Sequence, residues 1–99
     1  MAKSIPDPTP YLRELKTEYE RRSFAELNDL PKQLEIDSPE HLTPFTFMVW
    51  RHNTSSGDVR IIVEAYHSRW WGIVSNSWSD GFEKSPGGGV RELPPDAYY

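Results

Sequence analysis

The sequence predicts an α+β fold: an N-terminal amphipathic helix, continuous or broken into two, packed on an antiparallel β-meander of three long and two short strands. Three observations carry this expectation. Apolar residues recur at helical spacing through residues 10–30, single residues alternate through residues 45–79, and turn-forming residues punctuate the second half at hairpin intervals. The domain spans residues 10–94, with an extended proline-rich arm at residues 1–9 before it and a tail at residues 95–99 after it.

Pro6, Pro8 and Pro10 alternate with polar residues, a pattern suited to extended chain. Thr9 reads as a helix N-cap, with Pro10 at the first helical position, where its missing N–H costs nothing. Leu12, Leu15 and Tyr19 then share one face, and Arg13, Glu14, Lys16, Glu18, Glu20 and Arg21 occupy the rest of the circumference. The register slips at Phe24. Ser23-Phe24-Ala25-Glu26 has capping-box spacing, so a second short helix begins there, burying Phe24, Leu27 and Leu30 before Pro31. The slip fits either a break or a kink.

Within the connector of residues 31–44, Leu34-Glu35-Ile36 reads as a short edge strand. Residues 45–52 and 59–67 form a hairpin around Thr54-Ser55-Ser56-Gly57. Placing Phe45 opposite Ala65, Phe47 opposite Val63 and Val49 opposite Ile61 makes every odd position apolar, so that face is the core. On the even face Trp50 then opposes Arg60 at cation–π range, and Tyr66 lies beside Trp71. Residues 70–79 continue as a third long strand, and Asp80-Gly81 reads as a turn. Phe82-Glu83-Lys84 and residues 90–93 are the two short strands, separated by Pro86-Gly87-Gly88-Gly89.

Composition narrows the function. A chain of 99 residues supports one modest core, and its 13% aromatic content lets few residues fill it. The absence of cysteine removes disulfides, thiolate catalysis and cysteine-based zinc sites, and favours a reducing, cytoplasmic setting. Residues 1–8 lack the apolar run of a signal peptide, and no apolar stretch is long enough to span a membrane. A net charge of −4 opposes general duplex binding, in which phosphate neutralisation supplies most of the affinity.

No catalytic constellation stands out. His52 can meet Asp58 across the hairpin mouth, and His41 can approach His67. Neither pair supplies the ligand count of a metal site or the nucleophile, base and orienting group of an active site. Gly87-Gly88-Gly89 precedes a strand and lacks the Lys-Ser/Thr pair of a phosphate loop. The sequence therefore predicts no enzyme activity, no metal and no cofactor. It predicts instead a partner-binding face of Trp50, Arg60, Tyr66, Arg69 and Trp71, residue types that dominate interface hot spots.

In size, acidity, lack of cysteine and aromatic sheet face, the chain is similar to the small immunity and inhibitor proteins with which bacteria and phages block a toxin or effector. That similarity implies stoichiometric action on a protein partner, with Trp50, Trp71 and Tyr66 as anchors, Arg60 and Arg69 orienting, and acidic residues steering a basic effector or toxin. Two alternatives use the same chain differently. One is single-stranded nucleic acid, with rings stacking on bases and Arg51, Arg60 and Arg69 on phosphates. The other is a homodimer or a small-ligand pocket lined by Tyr19, Phe24 and Trp78.

Overall fold

The computed structural model describes residues 6–68 and 74–93. Two helices, α1 (Thr9–Glu20) and α2 (Phe24–Asn28), precede a five-stranded antiparallel meander: β1 (Gln33–Ile36), β2 (Phe45–Asn53), β3 (Val59–Ser68), β4 (Val74–Lys84) and β5 (Val90–Glu92). The strands lie in the sheet in chain order. Both helices pack on one face of it, giving the α+β arrangement that the sequence predicts.

α1 starts one residue earlier than expected. Thr9 lies inside the helix, Pro8 is the N-cap, and the Thr9 amide donates to Asp7 Oδ1 at 2.9 Å. The side chain two residues upstream thus satisfies an otherwise orphaned amide. Leu12, Leu15 and Tyr19 form the buried face. The slip at Phe24 is a break, not a kink. Ser23 caps α2 with a reciprocal capping box: Glu26 N–H donates to Ser23 Oγ at 3.1 Å, and Ser23 N–H to Glu26 Oε1 at 3.4 Å. Leu27 is fully buried, whereas Phe24 and Leu30 are half-buried against the core.

The odd positions of β2 and β3 do face the helices. Phe45, Phe47, Val49, Val59, Ile61, Val63 and Ala65 are all buried there, joined by Phe82 from β4. The pairing differs from the expected one by two residues. Phe45 opposes His67, Phe47 opposes Ala65 and Val49 opposes Val63. A slip of two preserves every face, so the apolar pattern cannot detect it. The loop decides the register. Thr54 N–H donates to Asp58 O and Gly57 N–H to Thr54 O, and Gly57 adopts φ +92°, the left-handed residue that closes a three-residue hairpin loop.

Asp80-Gly81 is not a turn. β4 runs through it unbroken, so the expected short strand at residues 82–84 is the end of β4, and β1 is the second short strand. Gly81 opposes Ile62, and a Cβ there would lie 2.5 Å from the Ile61 carbonyl oxygen. The glycine permits close approach of two backbones rather than reversal of the chain.

Charges fasten α1 to the sheet at Lys16, within its buried stripe, and at its C-terminal end. Lys16 Nζ reaches Glu92 Oε1 at 3.1 Å and Asp80 Oδ1 at 3.5 Å. Lys84, 8% exposed, donates from Nζ to the carbonyls of Glu20 (2.9 Å) and Arg22 (2.5 Å), where the helix ends. A cation at that end satisfies the last carbonyls and complements the helix dipole.

Two substitutions test these placements by urea denaturation. Gly81→Ala should destabilise the fold by about 2 kcal/mol, because its methyl group meets a backbone oxygen that cannot step aside. Lys84→Met keeps the apolar stem but strips two partly buried carbonyls of their donor, and should cost about 2 kcal/mol.

Candidate functional site: the outer face of the sheet

The sheet face turned away from the helices carries the even positions of β2 and β3 and the odd positions of β4 and β5, which pair into rows across the strands. One row is charged: His52, Arg60, Glu83 and Arg91 stand side by side on β2 to β5. Glu83 sits between the two arginines. Arg60 donates to Glu83 Oε2 from Nη2 at 2.6 Å and from Nε at 2.9 Å. Arg91 Nη2 reaches Glu83 Oε1 at 2.9 Å and continues to Asp58 Oδ2 at 2.7 Å. A carboxylate that accepts from two guanidiniums holds both in place, giving a network rather than an isolated pair.

The adjoining row is apolar. Trp50 opposes Ile62, and Ile62 opposes Gly81. Met48 follows one row on, opposite Glu64. Met48 and Ile62 are buried and Trp50 is half-buried. The indole N–H of Trp50 is buried and has no hydrogen-bond partner among the described residues.

Farther along, Tyr66 donates its hydroxyl to Glu64 Oε1 at 2.8 Å, and Ser79 Oγ donates to Glu64 Oε2 at 3.3 Å. Burial, the hydrogen bond to Glu64 and the charge of that carboxylate together push the Tyr66 phenol up to about 12.

The structure places three of the five expected binding residues, Trp50, Arg60 and Tyr66, on this one face. Arg69 and Trp71 lie outside the described residues, as does the expected contact of Tyr66 with Trp71. The expected Trp50–Arg60 pair is absent. With the hairpin register moved by two, Trp50 opposes Ile62, Arg60 opposes His52, and the guanidinium goes to Glu83 instead of an indole. Asp58 likewise pairs with Arg91 rather than with His52.

Sequence reasoning missed Glu83 and Arg91 as members of the face, whereas Glu64, an even position of β3, falls on it in either register. The available signal was the alternation of Trp78, Phe82 and Lys84, which runs unbroken through the presumed turn. Trp78 itself is half-buried on the helix side, edge-on to Phe45 at 5.4 Å, and Tyr19 and Phe24 also pack in that core.

Among the described residues no group of three or more His, Asp or Glu side chains could hold a metal, and no helix is long and apolar enough to cross a membrane. The chain matches no protein-family model, no curated protein and no solved structure.

The Tyr66 environment makes a pH prediction. Its folded pKa lies above the unfolded value of 10.0, so its contribution to stability is complete below pH 10 and is lost as pH rises toward about 12. An absorbance titration of the phenolates should show a late component near pH 12 that Tyr66→Phe removes. A Tyr66→Phe profile identical to that of the wild type would contradict the assignment.

Proposed function

We propose that the chain is a non-catalytic protein-interaction module of the stoichiometric inhibitor or immunity type, binding a basic protein partner through the outer face of its sheet. The observation that supports this reading is the preformed state of that face. Glu83 already fixes Arg60 and Arg91, and Glu64 already fixes Tyr66. A surface whose long side chains are ordered before contact loses less conformational entropy on association.

Its composition supports the same reading. Half-buried Trp50 and Tyr66 offer aromatic area around the Met48–Ile62 centre, the residue chemistry of an interface core with a polar rim. Glu35, exposed opposite Met48, and Glu64 add acidic charge, in keeping with a net charge of −4 that draws in a cationic surface.

The test is affinity capture from host lysate, with and without nuclease, comparing the wild type with Thr46→Arg. Thr46 is exposed and pairs with Tyr66 across β2 and β3, so the new side chain obstructs the face without disturbing the core. We expect one protein at equal stoichiometry that survives nuclease and binds at least about tenfold more weakly to the variant. Equal capture by the variant, or loss of all partners on nuclease treatment, would overturn the proposal.

A further inference from the structure

An open cleft of about 610 Å³ lies where β1 begins and β2 ends, lined by Lys32, Gln33, Trp50, Arg51, His52 and Asn53. Its charge is unlike that of the chain as a whole. The lining holds two cations and a histidine but no carboxylate, in a protein with fifteen acidic and eleven basic residues. Shallower clefts elsewhere include acids: Asp58 in one, Glu14 and Glu18 in another.

Arg51 is the informative member. Its guanidinium is half-buried and held from two sides by neutral acceptors. Nε donates to the Leu30 carbonyl at 2.6 Å, and Nη1 donates to Asn53 Oδ1. Asn53 is itself anchored, donating from Nδ2 to Asn28 Oδ1 at 2.6 Å. Among the described residues the cation is thus oriented but not neutralised, since its partners are uncharged and three of its five N–H donors stay uncommitted. Lys32 is exposed beside it, and neither its ammonium nor the His52 ring is paired with any described residue.

Fixed, partly desolvated positive charge without a counter-ion is the arrangement that receives an anion. The guanidinium fork suits the geometry of phosphate. Trp50 and His52, at even positions, reach the cleft from the outer face and Arg51 from the helix side. The cleft thus wraps the sheet margin and adds an indole on which a planar ring can stack.

We propose that this cleft binds a phosphate group carried on a planar ring, the chemistry shared by a free mononucleotide and by a nucleotide within a single strand. Arg51 and Lys32 engage the phosphate, His52 adds a ring nitrogen, and Trp50 takes the base. The site shares Trp50 with the protein-binding face above, but it lies at the Asn53 end of β2, while the Thr46 test probes the opposite end of that strand.

Titration of the 15N-labelled protein with adenosine 5′-monophosphate, adenosine, inorganic phosphate and a short single-stranded oligonucleotide tests the assignment. The monophosphate should shift the amides of Arg51, His52 and Asn53 and the Trp50 indole at millimolar concentration or below. Adenosine and inorganic phosphate should each bind at least about tenfold more weakly, because each supplies half of the recognition. Lys32→Glu, at an exposed position whose side chain has no partner among the described residues, should keep the wild-type spectrum and bind the monophosphate at least about tenfold more weakly.

An oligonucleotide that binds more tightly than the monophosphate identifies a strand as the source, and one that does not identifies the free nucleotide. Unmoved signals with the monophosphate, equal binding by Lys32→Glu, or inorganic phosphate binding as tightly as the monophosphate would each overturn the proposal. The Thr46→Arg variant should bind the monophosphate like the wild type, so the two proposals fail independently.

Discussion

The buried ammonium of Lys84 is the joint between the two layers of this protein. It forms no ion pair with a carboxylate among the described residues; its environment is the carbonyl end of α1, through Glu20 and Arg22. An isolated helix of twelve residues is marginal in water, and its three buried side chains need a fixed seat on the sheet. Lys84 fixes that seat and also fixes where the helix stops. The Arg22 carbonyl is turned to the ammonium, and the next residue, Ser23, opens α2 as its N-cap. The joint requires β4 to run continuously to Lys84, because only then does Lys84 pair with Val59 and stand on the helix side of the sheet.

The same continuity organises the opposite face. Glu83, one residue before Lys84, must point away from the helices, and its neighbours across the strands are Arg60 and Arg91. Surface ion pairs taken singly contribute little. Here one carboxylate, with its side chain only 13% exposed, serves two guanidiniums at once. Adjacent residues on one strand therefore do unlike work: Lys84 secures the helical layer, and Glu83 orders the surface that the helices leave uncovered.

How much of this was legible in the sequence depends on which property the sequence encodes locally. Face parity was legible, because burying Phe47, Val49, Ile61 and Val63 together demands period-two alternation. The capping box at Ser23 was legible because it is a contact between near neighbours. The hairpin register was not, since a two-residue slip leaves the alternation intact and only the left-handed Gly57 fixes the loop. Asp-Gly favours turns in short chains, but at residues 80–81 the nearby Ile61 carbonyl imposes a different need for glycine, one that depends on a strand distant in sequence. Those two misreadings also hid the site. With the register shifted and β4 cut at Gly81, Arg60 faces an indole, and Glu83 belongs to a separate strand. The start of α1 is a smaller case of the same kind: Pro8 rather than Thr9 is the N-cap, and the Thr9 amide donates to the side chain of Asp7.

The outer face and its margins are polarised along the strands. Toward the β2–β3 loop stand four cations, Lys32, Arg51, Arg60 and Arg91, against the two carboxylates Glu83 and Asp58, which pair with Arg60 and Arg91. Toward the start of β2, Glu35 and Glu64 flank Met48 from both neighbouring strands, and Tyr66 follows. A surface of uniform sign attracts an opposite charge without orienting it, whereas one that changes sign along its length also sets direction. The meander makes that gradient possible. The three long strands β2, β3 and β4 cross the full face, so residues a few positions apart in β2 lie at opposite ends of the surface, while Trp50 and Met48 form the uncharged ground between them. The gradient is rigid because its charged ends are tied into the fold by different means: Arg51 by the Leu30 carbonyl beyond α2, and Glu64 by hydroxyl donors from its own strand and from β4.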